Sequence, residues 1–452
     1  MNKLKFYFFH LMPYGFVPRS TEFDSSWVTL SNEHYDPTRG HQLYNEYIDL
    51  LVAAEKYGYD GAIVNEHHAN AYGTMPSPNL IAAMVVTRTQ RMPVGIVGNA
   101  IPLHGNPVRV AEEIAMLDVI SGGRIISGFV RGIGCEYFNN PVSPTDSVER
   151  FWEANELILK AWTEPGPFTW QGKHYYIPNV NVWPRPIQKP HPPVWLPGMG
   201  SLETLRECAR NRYTYMMIFA PTWMCKWAFD KLKEEAELCG YELPRDQCMA
   251  AIPTYVAETD KQAHREAKAH MQWLFNTGLK IKSSHYFPPG YMSDRSFRGY
   301  WSAVRDKGAK APMDLSYDDL IKQGYIIVGS PQTVAEGYAE YCDELGAGGV
   351  LCAGSPSGPM PNWMAVKNMQ MFAEEVMPLF READGKPEYL REQQKIGATN
   401  AERSAQLGEP ENPPTAPLQG MDEVPDLRTI HLPEMIDASL YDGVTRELME
   451  KD

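Results

Sequence analysis

An α/β fold built on a (β/α)8 barrel is what this sequence predicts, and three observations carry that reading. Short apolar runs of strand length alternate with amphipathic stretches of helical period as far as Phe380. No G-x-G-x-x-G stands between the first strand and the first helix, which tells against an open dinucleotide-binding sheet. At 452 residues the chain is long enough for one large barrel with insertions and a tail.

The elements follow in order. Leu4-Lys5-Phe6-Tyr7-Phe8-Phe9-His10 is an aromatic-rich strand, and residues 12–39 form a loop bearing Pro and Gly. Over residues 40–57, Leu43, Tyr47, Leu50, Leu51 and Ala54 recur at helical spacing, and Gly58 closes that helix. Ala62-Ile63-Val64-Asn65, bounded by Gly61, reads as a buried parallel strand. A Pro/Gly-rich loop at 71–78 leads to a helix over 79–89 and a strand over 94–100. Val110, Ile114, Leu117 and Ile120 share one face of a helix over 108–120, which Ser121-Gly122-Gly123 stops before a fourth strand at 124–130. This alternation implies parallel strands joined by right-handed crossovers, in an open doubly wound sheet or a closed barrel.

A helix over 148–162 and a Trp/Pro-rich excursion over 165–193 precede a strand at 194–198. Helix 201–211, strand 213–219, helix 223–239 and strand 250–256 come next, then a long helix from Asp260 towards Gly278. Residues 280–323, with Pro288-Pro289-Gly290, Arg295, Arg298 and Trp301, break the pattern and read as a lid or binding insertion. Ser330-Pro331 opens another helix, 348–353 is the eighth strand, and 362–380 is the last barrel helix. The barrel domain is thus placed at residues 1–381. Residues 382–452 are an acidic, Pro-rich C-terminal extension, expected to be disordered or to lie as an arm over a partner subunit.

Apolar content of 43% supports a sizeable core, whereas a net charge of −14 argues against nucleic-acid or anionic-membrane partners. A small molecule or another protein is the expected partner. No apolar run approaches the roughly 20 residues of a membrane span, and the N-terminus carries no signal-peptide pattern, so a cytoplasmic location is expected. The seven cysteines are scattered without a C-x-x-C pair, which suggests neither a disulfide frame nor a zinc site.

Two constellations carry chemistry. Glu66-His67-His68 follows a predicted strand at the end where barrel enzymes hold their active sites, so His67 is the candidate acid/base group with His68 beside it. The bland alternative is a histidine pair hydrogen-bonded inside a loop. A metal site is not suggested, because neighbouring residues of an extended strand cannot both point the same way. The second constellation is Gly198-Met199-Gly200-Ser201-Leu202-Glu203-Thr204. Gly200 permits close backbone approach, and Ser201 and Thr204 gather hydroxyls and free N–H groups at a helix N-terminus, as a phosphate cradle would. Arg131, after the fourth strand, would supply the cation; its alternative is a surface salt bridge.

Together these residues resemble the bacterial luciferase-like flavin monooxygenase family, from the first strand to about Phe380. Glu66-His67-His68 is similar to the luciferase α-subunit motif whose first histidine is catalytic. Val97-Gly98-Asn99-Ala100, Asn106-Pro107-Val108-Arg109 and Leu117-Asp118 to Gly123-Arg124 resemble the family's third and fourth βα units. Val130-Arg131-Gly132 matches its phosphate-binding arginine, and Ser201 and Thr204 its phosphate-binding hydroxyls. Met360-Pro361 and the stretch from Phe372 to Pro378 look like its closing helix.

The resemblance further implies a non-prolyl cis peptide under the flavin near Asn99-Ala100, and a flavin contact from Trp273. It also likens the run from Arg298 to Pro331 to the luciferase mobile loop. Two departures from luciferase α are Val130, in place of a reactive cysteine, and Gly200, in place of a glutamate. Light emission is therefore not implied, and backbone N–H groups would meet the phosphate.

The activity implied is a two-component monooxygenase. Reduced FMN (FMNH2) from a separate flavin reductase would react with O2 to give a C4a-(hydro)peroxyflavin, which oxygenates a small apolar organic substrate. Phe8 and Trp273 would wall the ring, and a homodimer is expected. The alternatives on the same scaffold are an F420-dependent hydride-transfer oxidoreductase and a non-catalytic flavin-binding protein.

Overall fold

Eight parallel strands close into a barrel in the computed structural model, which describes residues 3–294, 297–298, 302 and 310–381. In chain order the strands are β1 (Lys5–Phe9), β2 (Gly61–Val64), β3 (Val94–Asn99), β4 (Ile125–Phe129), β5 (Phe168–Gln171), β6 (Tyr176–Val180), β7 (Val194–Gly198), β8 (Thr214–Ile218), β9 (Cys248–Ala251), β10 (Thr254–Val256), β11 (Ile327–Gly329) and β12 (Gly349–Leu351). The barrel order is β1-β12-β9-β8-β7-β4-β3-β2, with β2 paired back to β1. The C-terminal extension and the predicted Arg295 and Trp301 lie outside the described residues.

The helices are α1 (Pro37–Lys56), α2 (Pro78–Arg88), α3 (Pro107–Ser121), α4 (Ser147–Thr163), α5 (Leu202–Asn211), α6 (Thr222–Leu238), α7 (Asp260–Gln272), α8 (Ser283–Tyr286), α9 (Tyr317–Lys322), α10 (Pro331–Leu345) and α11 (Asn362–Met371). Their ends obey the local signals in the sequence. Asp36 and Ser330 accept the N–H of Thr38 and Thr333 at the starts of α1 and α10, and Gly122, at φ +70°, ends α3. Among the described residues no helix is long and apolar enough to cross a membrane.

Strand alternation sorts the aromatic residues of β1. Tyr7 meets Trp195 edge-on at 5.1 Å, whereas Phe6 packs on Tyr338, Phe372 and Phe380, and Phe8 on Tyr59. Each fully buried ring of this kind contributes about 1.5–3 kcal/mol. At the other end of the barrel wall, Arg381 reaches Asp60 at 2.9 Å, and the same Asp60 oxygen accepts the Phe6 N–H.

The single strand expected over 250–256 divides in two. Ile252-Pro253 interrupts it, and β10 leaves the barrel to pair with β11 in a separate parallel sheet. The excursion over 165–193 holds an antiparallel hairpin, β5 with β6, that its Pro content concealed. The long helix from Asp260 reaches Gly278 by way of a π-helical stretch, Trp273–Gly278.

Candidate active site

All eight barrel strands end on one face, and the loops leaving that face carry the titratable groups. After β2 the chain places Asn65 and Glu66 in buried positions and leaves His67 and His68 partly exposed. Glu66 uses both oxygens. Oε1 faces His68 Nε2 at 2.7 Å; Oε2 accepts the Ala100 N–H at 3.0 Å and faces His104 Nε2 at 3.4 Å. Burial works to raise the Glu66 carboxyl, but hydrogen bonds from His104 and His68 outweigh it and hold the group down at about 2. The same bond to Glu66 raises His68 above the usual imidazole range. Glu66 is therefore an anion that ties the end of β2 to the loop after β3.

His67 bonds to a different carboxylate from His68. Its Nδ1 lies 3.1 Å from Glu136 Oε1, and its ring is met edge-on by Trp27 at 4.9 Å and by Tyr72 at 5.2 Å. Trp27 is itself held, since its Nε1–H donates to the Gly278 carbonyl at 2.9 Å and the Ser26 hydroxyl donates to the same oxygen at 2.7 Å. Glu136, 1% exposed, stands in the short 3-10 turn Gly134–Phe138 after β4, and its second oxygen accepts the Ile133 N–H at 2.7 Å. Sequence reasoning missed Glu136. The available signal was a lone carboxylate inside the apolar and aromatic turn Ile133-Gly134-Cys135-Glu136-Tyr137.

Arg131 has no carboxylate partner among the described residues, which gives the salt-bridge alternative no support there. Its Nη1 donates to the Tyr291 carbonyl at 2.7 Å and to Ser147 Oγ at 3.3 Å, and its guanidinium lies 3.9 Å over the Tyr291 ring. The Tyr291 hydroxyl donates to the Gly132 carbonyl at 2.6 Å, fastening this part of the 280–323 segment onto the loop after β4. Gly134 makes room for it, because a Cβ there would stand 2.2 Å from the Tyr286 carbonyl oxygen.

The cradle stretch follows β7, the barrel neighbour of β4. Gly200, at φ +86°, donates its N–H to the Tyr215 hydroxyl at 2.7 Å, and a Cβ there would stand 2.9 Å from Trp227. Ser201 is the N-cap of α5 as predicted, but its hydroxyl makes no capping bond. Ser201 is exposed, and the positive end of the α5 dipole lies beside its hydroxyl. No hydrogen bond joins Arg131 to Ser201 or Thr204; they share only adjacent strand ends.

Asn99 ends β3 and is 1% exposed; its Nδ2 has no hydrogen-bond partner, nor does the buried Oδ1 of Asn65 at the end of β2. Ala100 gives its N–H to Glu66 and packs with Leu103 and Tyr137. The non-prolyl cis peptide among the described residues is Val97-Gly98, just upstream of the expected Asn99-Ala100. There the β3–β4 ladder carries one extra residue between Ile96 and Asn99, and a Cβ on Gly98 would stand 2.6 Å from the Gly128 carbonyl carbon. Trp273 comes within reach of the His67 surroundings through Gly278, whose Cβ position would lie 2.9 Å from Tyr72 and 3.1 Å from Trp273. Phe8 does not wall the mouth: it sits on the outward face of β1 against Tyr59.

A barrel with an imidazole–carboxylate pair at its C-terminal rim is, as a class, an enzyme scaffold that handles small molecules. The chain belongs to the luciferase-like monooxygenase family, whose model matches residues 23–348. It is 30% identical over 365 residues to the oxygenase component of the flavin-dependent trigonelline monooxygenase of Acinetobacter baylyi, an alignment covering 76% of this chain and 91% of that one.

Among solved structures, the oxygenating constituent of 3,6-diketocamphane monooxygenase from the CAM plasmid of Pseudomonas putida, a type II Baeyer–Villiger monooxygenase in complex with FMN, superposes with a TM-score of 0.63 at 18% identity, over 83% of this chain and 98% of that one. An F420-dependent secondary alcohol dehydrogenase superposes with a TM-score of 0.57 at 16% identity, over 84% of this chain and 100% of that one. At those identities the two structures show a shared fold alone. The membership makes this chain an oxidoreductase of the luciferase-like monooxygenase type.

Proposed function

We propose that this chain is the oxygenase component of a two-component system, taking reduced FMN from a separate flavin reductase and using O2 to oxygenate a small apolar organic substrate. The observation that carries this reading is His67, bonded through Nδ1 to the buried Glu136 and walled by Trp27 and Tyr72 at the barrel rim. Reduced flavin, when bound, supplies the activation of O2.

The residues fit an FMN. Arg131, the Ser201 and Thr204 hydroxyls and the first turn of α5 would hold its phosphate, with the Gly200 bend bringing the backbone close. The unpartnered Asn65 Oδ1 and Asn99 Nδ2 offer an acceptor and a donor to a ring with N–H and carbonyl edges. Buried polar atoms without partners are costly, so a polar ligand at these strand ends would relieve them. Trp27, Tyr72 and Trp273 keep water from the ring, and His67 holds or releases a proton at Nε2. A homodimer completes the reading. Leu80 and Met84 on α2, with Met116, Val119 and Ile120 on α3, form an exposed apolar face on two packed helices.

The deciding experiment mixes anaerobic protein carrying reduced FMN with O2, in the presence of decanal or a bicyclic ketone. A flavin absorbance distinct from both oxidised and reduced FMN that persists for seconds, with oxygenated product, is expected. Immediate return to oxidised FMN with hydrogen peroxide and no product would overturn the reading. His67→Ala should keep FMN affinity and lose most of the product, and unchanged turnover would remove the role given to His67.

A further inference from the structure

Two adjacent histidines leave the end of β2, and they present opposite ring nitrogens to two different buried carboxylates. His68 faces Glu66 through Nε2, whereas His67 faces Glu136 through Nδ1. We infer that Glu136 is the positioning residue of His67: it keeps the His67 proton on Nδ1, so that Nε2 carries the lone pair used in acid/base chemistry. The inference deepens the monooxygenase reading and rests on it for the reaction served, but not for the proton's location.

A carboxylate only accepts hydrogen bonds, so the ring nitrogen 3.1 Å from Glu136 Oε1 is the one that bears hydrogen. A neutral imidazole has one such hydrogen, which leaves Nε2 as the acceptor. Glu136 is well placed to enforce this. Its other oxygen is tied to the Ile133 N–H at 2.7 Å, so the carboxylate cannot turn away without orphaning a backbone donor. Only 1% of it is exposed, and Tyr286 of the 280–323 segment covers the same turn at Gly134, so the bond to His67 is shielded from water. Trp27 and Tyr72 hold the imidazole edge-on from two directions, which leaves the ring little freedom to flip. Capping its own turn would require Glu136 to meet Ile133 alone; it would not require the second oxygen to reach a histidine 69 residues away.

The test is imidazole 15N spectroscopy of the full chain with labelled histidine, the His67 signals being those lost in His67→Asn. Neutral His67 should show its proton on Nδ1 in the wild-type protein. Glu136→Met should move the proton to Nε2, and Glu136→Asp, which keeps an acceptor one methylene shorter, should return it at least partly to Nδ1. FMN affinity within about threefold of wild type in these variants is expected, because Glu136 acts through His67. A wild-type His67 protonated on Nε2 would overturn the inference without reference to any variant's folding, and so would a Glu136→Met variant with an unmoved proton. The expected tautomers in a chain that forms no oxygenated product would instead remove the proposed reaction and leave the positioning role standing.

Discussion

The carboxylate of Glu66 accepts the backbone N–H of Ala100 at 3.0 Å, across the boundary between the loops that follow β2 and β3. Glu66 also holds His68 at 2.7 Å, so one buried anion organises two loops of the candidate site.

Glu66→Gln should therefore destabilise the protein by about 1–3 kcal/mol, since a buried N–H and two imidazoles lose their charged acceptor. Urea unfolding at pH 7 measures this. The pH dependence has a definite sign. The folded carboxyl, at about 2, lies below its unfolded value, so its contribution is present above the unfolded carboxylate range and is lost as pH falls towards 2. Glu66→Gln should flatten the stability curve in that acid window, and, because the bond that raises His68 goes with it, should also remove the stability that His68 loses as pH rises past the ordinary imidazole range.

His10 produces an acid sensitivity that begins nearer neutrality. It is fully buried, its Nδ1 accepts the Met12 N–H at 2.9 Å, and burial lowers its pKa to about 3. A histidine depressed in the folded state stabilises above its unfolded value of 6.5 and loses that contribution as pH falls towards 3. The slope should reach about 1.4 kcal/mol per pH unit below 6, and His10→Asn should remove it. Unfolding midpoints from pH 7 to 4.5 decide the matter.

Arg131→Ala should weaken FMN binding by about 10- to 100-fold, the cost of a lost charge-assisted hydrogen bond. Tyr291→Ala, which removes the plate stacked 3.9 Å from the guanidinium, should weaken it less. Quenching of flavin fluorescence on titration gives both values, and an unchanged affinity in Arg131→Ala would place the phosphate elsewhere.

The homodimer proposed on the exposed apolar face of α2 and α3 predicts a dimeric wild type by light scattering and a monomeric Met84→Glu, Ile120→Glu double variant with FMN affinity retained. A double variant that stays dimeric would put the subunit contact on another face.

Much of the barrel is legible in the chain because its signals are local. Apolar runs between glycines set the strands, and Asp36, Ser330 and Gly122 set helix ends by capping chemistry within a turn. Ser201 was legible as an N-cap for the same reason, though its unengaged hydroxyl was not. Phe8 misled because an aromatic at a strand end says nothing of which face it occupies until the register of β1 against β2 is known. The break at Pro253 misled in the opposite sense, since an apolar run cannot reveal that its second half pairs with β11, 73 residues further on.

By itself the sequence determined an alternating barrel and a histidine pair at the end of its second strand, because strand length, helical period and caps act over a few residues. Only the tertiary structure decided which carboxylate each histidine meets. Glu136 lies 69 residues from His67, and their bond exists because β2, β3 and β4 stand side by side and the segment over Gly134 buries the pair. Barrel closure sets that distance, and no spacing along the chain encodes it.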